Sequence, residues 1–219
     1  MKLEDYISND LLSLTPNESI HLSKKKTKNL RVSHFPVVEK NKLYGSISER
    51  DLNTLDEENK KLSDFQYIFE SFFATEEDSL IDLLTLFAIH ETNILPILSD
   101  NKKYIGFYEL SDLLSIYSET PYLKEQGTIL ILEKDSVTYS ISEIAQISET
   151  NNAAIYGLHI SNKSEKNTQV TVKIKTANID EIIQSYRRYD YRIISNHEDD
   201  SYLEDLKNRS NYLQKYLSI

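Results

Sequence analysis

Shifted against itself by about 60 residues, the first half of this chain repeats. Thr15 falls on Thr75, Ser19 on Ser79 and Pro36 on Pro96. After one inserted residue, Gly45 falls on Gly106, Asp51 on Asp112 and Leu52 on Leu113. The local texts agree as well: His34-Phe35-Pro36-Val37-Val38 with Ile94-Leu95-Pro96-Ile97-Leu98, and Leu43-Tyr44-Gly45-Ser46-Ile47 with Tyr104-Ile105-Gly106-Phe107-Tyr108. Proline, glycine and aspartate recur in one order at nearly one spacing. A duplicated unit is therefore the organising feature of residues 1–120.

Each unit reads as β-α-β-β-α. In the second copy Leu80, Leu83, Leu84, Phe87 and Ala88 share one helical face, with Asp78 or Ser79 placed to cap it. The corresponding helix in the first copy is poorer, interrupted by Lys24-Lys25-Lys26 and Lys28. A short apolar strand with proline at its start follows, then a polar turn and a second strand carrying the glycine. A further helix opens near Ser48 or Glu109.

Composition removes several functions. With 25 Lys+Arg against 35 Asp+Glu, the net charge of −10 argues against nucleic-acid backbones and anionic membranes. No cysteine is present, so disulfides, thiolate metal sites and a cysteine nucleophile are excluded. Only four glycines occur (Gly45, Gly106, Gly127, Gly157), too few and too scattered for a P-loop or dinucleotide fingerprint. The N-terminus lacks a signal-type apolar run, and no stretch approaches the roughly 18 apolar residues of a membrane span. A cytoplasmic location is expected.

The x-Pro-hydrophobic-hydrophobic strand, followed by Gly45-Ser46-Ile47-Ser48-Glu49-Arg50-Asp51 and again by Gly106-Phe107-Tyr108-Glu109-Leu110-Ser111-Asp112, resembles the CBS domain. CBS domains occur in tandem as a Bateman module. The resemblance covers 1–60 as one unit and 61–120 as the second. It implies an adenine nucleotide (AMP, ADP or ATP) as a regulatory ligand, with an aspartate holding ribose and backbone around the x-Pro strand framing the base. Carried over by position, the candidates are Thr15, His34, Phe35, Ser48, Arg50 and Asp51, with Asp112 from the second copy. The chemistry suits them: a serine hydroxyl can bond phosphate, a carboxylate can accept from a ribose diol, and a guanidinium can grip phosphate bidentately. The alternative at Ser48-x-x-Asp51 is a plain capping box. In the second copy Glu109 replaces the expected Ser/Thr, placing two acids where phosphate would sit.

Beyond Pro121, read as part of a linker, the pattern changes. Gly127 to Leu132 reads as a buried strand, and Ser140-x-x-Glu143 as a capping box opening a helix. Ala154 to Ile160 and Gln169 to Lys175 read as strands, Asn178-x-x-Glu181 opens a second helix, and Arg192-Ile193-Ile194 ends the set. The order βαββαβ is ferredoxin-like. Residues 127–197 resemble an ACT domain, and the whole chain resembles the CBS–CBS–ACT proteins of the acetoin-utilization B type. The turn Glu133–Tyr139 lacks the glycine that approaches a ligand in ACT domains, so chain pairing is favoured over amino-acid sensing. Gly157 could serve close approach across that pairing, or mark an ordinary bulge. Residues 198–219 read as an acidic helical tail.

The five histidines (His21, His34, His90, His159, His197) show no HExxH spacing, and no Gly-x-Ser-x-Gly elbow exists. His197-Glu198-Asp199-Asp200 is better read as a solvated acidic turn than as a metal site. No catalytic set assembles and no cofactor is required. The expectation is an α+β, non-enzymatic, homodimeric regulator. It would bind an adenine nucleotide between its CBS units and signal occupancy to a protein target or through the ACT-like domain. An assembly scaffold with empty clefts is the alternative, and an enzyme with an unrecognised site ranks below it.

Overall fold

The structure, a computed structural model, describes residues 2–9 and 13–194. The chain divides into two compact units, Met1–Glu119 and Thr120–Ile219.

The first unit contains both copies of the repeat. Copy one comprises α1 (Ile20–Thr27), β1 (His34–Glu39), β2 (Lys42–Ser48) and α2 (Glu49–Thr54). Copy two comprises β3 (Ala74–Thr75), α3 (Leu80–Ile89), β4 (Ile94–Leu98), β5 (Tyr104–Glu109) and α4 (Leu110–Ser118). In each copy the two main strands pair antiparallel. The leading strand is a true parallel partner in copy two, where β3 pairs with β4, and a single bridge between Leu14 and Val37 in copy one.

Local chemistry explains these elements. Ser79 caps α3 through a reciprocal box with Asp82, whose carboxylate accepts from the Ser79 N–H and hydroxyl at 3.0 and 2.6 Å. Those bonds hold the Asp82 carboxyl below its usual range. Asp78, the other candidate cap, instead accepts from the Thr75 N–H at 2.6 Å. The lysine-rich α1 folds because its inner face is Ile20, Ser23 and Thr27. The two hydroxyls donate back to Ser19 O and Ser23 O, so the polar groups are buried with partners. Pro36 and Pro96 stand third in their strands rather than first. The Pro36 carbonyl accepts from Leu14 N at 3.0 Å, so the missing N–H lies on the side where the sheet shrinks to one bridge.

The two copies exchange edges. Glu70, in the segment entering copy two, forms both backbone hydrogen bonds with Ser46 of β2 at 2.8 Å. Ser8, in the segment entering copy one, does the same with Phe107 of β5 at 2.9 and 3.0 Å. The repeat glycines sit where these segments cross. Gly45 has φ +136° and Gly106 φ +151°, and a Cβ there would lie 2.9 Å from Glu70 O and 2.6 Å from Ser8 O, respectively.

Tyr104 at the start of β5 donates its N–H to Asn41 O at 2.7 Å, and burial pushes its phenol up to about 12. A raised pKa favours the neutral form in the folded state, so this stability is complete below the unfolded value of about 10 and is lost as pH rises through the folded value. Tyr104→Phe is expected to flatten the alkaline limb of a denaturant-stability profile between pH 10 and about 12. A slope equal to that of the parent would contradict this assignment.

The second unit comprises α5 (Pro121–Lys124), β6 (Thr128–Asp135), α6 (Ile141–Thr150), β7 (Ala154–Lys163), β8 (Asn167–Lys175), α7 (Ile179–Arg188) and β9 (Arg192–Ile193). Its sheet runs β7-β8-β6-β9 with every neighbouring pair antiparallel, the ferredoxin-like order. Leu130, Leu132, Val172 and Ile174 face Ile144, Ile182 and Tyr186 in one core. Tyr186 is fully buried, and its hydroxyl meets Ser148 Oγ at 2.6 Å. Two details differ from expectation, and a third takes the bulge reading offered for Gly157. The supposed linker is a helical turn at α5, with Pro121 at its first position, where no N–H is needed. Glu143 of the expected capping box pairs with Lys134 at 2.8 Å, which lowers its carboxyl, while Ser140 caps α6 alone. Gly157 lies at a register shift of β7, and its hydrogen faces the Tyr122 ring, 2.6 Å from where a Cβ would stand. Its close approach is thus within the unit. Residues 195–197 of the expected ACT-like segment, His197 and the helical tail over 198–219 lie outside the described residues.

Candidate functional site

A cleft of about 740 Å³ opens in the first unit, lined from copy one by Ser33, His34, Ser48, Glu49, Arg50, Asp51 and Thr54, from the connecting segment by Glu70, and from copy two by Ile89, His90 and Glu91. Four parts of the chain reach it: the start of β1, the β2–α2 turn, the crossing edge segment, and the C-terminal end of α3.

At the β2–α2 turn Ser48 is the N-cap of α2. Its Oγ accepts from Asp51 N at 2.9 Å and donates to Asp51 Oδ2 at 2.8 Å. The hydroxyl is therefore committed to Asp51, and the carboxylate is held in one orientation with Oδ1 free of hydrogen bonds among the described residues. Arg50 is exposed on the same turn and makes no ion pair among the described residues. The lining carries four carboxylates (Glu49, Asp51, Glu70, Glu91) against one guanidinium and two imidazoles.

His34 is buried, its Nδ1 3.0 Å from Ser33 Oγ and its Nε2 3.1 Å from Glu70 Oε1. Ser33 ties the two copies together: its N–H donates to Asn93 Oδ1 at 2.8 Å, its Oγ accepts from Asn93 N at 2.9 Å, and Asn93 Nδ2 donates to Arg31 O at 2.9 Å. Ser33 and Asn93 are 60 residues apart, equivalent positions of the repeat meeting at its internal axis.

Of the sequence candidates, His34, Ser48, Arg50 and Asp51 come together in this cleft. The structure does not bring the other three there. The Thr15 hydroxyl donates to Glu18 at 3.1 Å, away from the lining. The Phe35 side chain is fully buried in the copy-one core with Val37, Ile47 and Leu52, because strand alternation turns it inward. Asp112 lies in α4 beside Glu109, whose side chain caps nothing. A second cavity of about 450 Å³, lined by Asn9, Ser13, Val38, Asn41, Tyr104 and Ile105, contains none of the candidates. Sequence reasoning missed Glu70 and His90, which fall outside the repeated motif. Ser33 was accessible through its 60-residue match to Asn93.

A family model for the CBS domain matches residues 3–57 and 68–119. The first unit is thus a tandem pair of CBS domains, and an additional α+β unit follows the pair. Inosine-5'-monophosphate dehydrogenase of Methanocaldococcus jannaschii is 25% identical over 114 residues, which are 52% of this chain and 23% of that protein. The chain thus spans under a quarter of that curated relative. Among solved structures, a CBS domain pair/ACT domain protein from Thermotoga maritima matches with a TM-score of 0.48 and 20% identity, covering 54% of this chain and 98% of that one. The structure of CBSX2 in complex with AMP matches with a TM-score of 0.46 and 19% identity, covering 53% and 95%.

Proposed function

We propose that this protein is a non-enzymatic regulator that binds an adenine nucleotide in the cleft between its CBS domains. The observation that carries the reading is one cleft in which Arg50 and the oriented carboxylate of Asp51 meet Glu70 and His90 from outside their own copy. A ligand seated there would contact both domains. Binding would shift the population of two arrangements of the pair only if the ligand's affinity differs between them. The second unit, ACT-like by its element order, is assigned to pairing two chains, and a protein target reads the result. The alternative is an assembly scaffold. It is favoured by the Ser48–Asp51 bonds, which also make an ordinary helix cap, and by the surplus of carboxylates.

That surplus sets the ligand's charge. Carboxylates several ångströms from a triphosphate repel it, by an amount that grows as water is excluded. AMP is expected to bind more tightly than free ATP, and Mg²⁺ to recover part of the ATP affinity. Calorimetric titration of the full chain with AMP, ADP and ATP, each with and without Mg²⁺, measures this. Absence of binding by all of them at millimolar concentration would leave the scaffold reading.

A further inference from the structure

Beside the β2–α2 turn the cleft holds an aromatic cluster that the repeat does not predict. Phe72, buried at 3% exposure, carries two histidine rings. His34 stands edge-on to it at 5.4 Å and 85°, and His90 stacks on it at 4.6 Å and 19°. The two histidines are held differently. Both ring nitrogens of His34 are engaged, by Ser33 and Glu70. The His90 ring makes no hydrogen bond among the described residues. It sits half-buried at the C-cap of α3, backed by Phe72, and lines the cleft. With one face covered, it presents its opposite face and edge.

A flat ring backed by a second ring and oriented before any ligand arrives is a platform for a third. Offset stacking is favourable between such rings, and any purine offers a π-face. The platform is not duplicated: about 60 residues earlier in the repeat stands Leu30, which has no ring.

We propose that His90 is the base-stacking residue of this cleft, holding a purine ring on its free face while Asp51 of the first CBS domain takes the ribose. The inference rests on the adenine-nucleotide reading and adds the contact contributed by the second domain. Occupancy is thereby linked to the joint between domains, through Phe72 to His34 and on to the Ser33–Asn93 bonds.

The test is titration of the full chain and two variants with adenosine and with AMP. His90→Ala is expected to weaken both by about tenfold, the size of losing one base–aromatic stack. His90→Phe, which keeps the flat ring and discards the nitrogens, is expected to stay within about threefold of the parent. His90 is half-exposed, so unchanged melting of the ligand-free variants serves as the folding control. Unchanged affinity in His90→Ala overturns the assignment. A loss in His90→Phe as large as in His90→Ala overturns stacking, because the nitrogens would then carry the contact. A parent chain that binds neither adenosine nor AMP overturns the underlying reading instead.

Discussion

Gly45→Ala and Gly106→Ala are each expected to destabilise the first unit by about 3 kcal/mol, a drop in midpoint of roughly 10–15 °C. Two costs combine at each position. The backbone is in a region that side-chain-bearing residues rarely adopt, at φ +136° and +151°. The new Cβ would also meet backbone, 2.9 Å from Glu70 O in one copy and 2.6 Å from Ser8 O in the other. Those carbonyls accept the hydrogen bonds that bind each crossing segment, so moving the segment away breaks the Ser46–Glu70 or Ser8–Phe107 pair. The loss should appear in unfolding followed by probes in residues 1–119. A melting point within 3 °C of the parent for both variants would mean that the crossing segments are not part of the stable fold.

These glycines also show how far the sequence carries the fold. Their spacing identified equivalent strands because the constraint is local in each copy and repeats with it. What presses on them was hidden, since Glu70 and Ser8 come from segments with no pattern of their own. Pro36 and Pro96 were legible as strand markers, but their place within the strand depends on where the neighbouring strand ends. In the site, Ser48, Arg50 and Asp51 were legible because one turn brings them together. At Phe35 the motif position implies a backbone role and does not say which face the side chain takes. Its full burial follows from the pairing of Phe35 with Ile47 above the copy-one core. His90 lay in plain view as a histidine ending an apolar helix, but its meaning depends on Phe72, 18 residues earlier and across the cleft wall.

Asp51→Ala is expected to weaken AMP binding by about 10- to 100-fold, the size of a lost charge-assisted pair of hydrogen bonds. The substitution removes the oriented Oδ1 and the partner of the Ser48 hydroxyl, but Ser48 Oγ can still accept from the backbone N–H of residue 51, so the α2 cap survives. Asp51→Asn keeps the bond to Ser48 and discards the charge. It should fall between the parent and Asp51→Ala for AMP while melting like the parent. Asp112→Ala is the counterpart at the equivalent position of copy two, outside the cleft, and should leave AMP affinity unchanged. Equal losses at Asp51 and Asp112 would place the ligand in a different part of the first unit.

Of the two repeat-related positions, one is proposed to be equipped and to take an adenine nucleotide. Isothermal titration of the full chain with AMP tests it most directly. Saturable binding of one AMP per chain is expected, weakened at least tenfold by Asp51→Ala and untouched by Asp112→Ala. Two AMP per chain, or no heat and no melting-point shift at millimolar AMP, would contradict it.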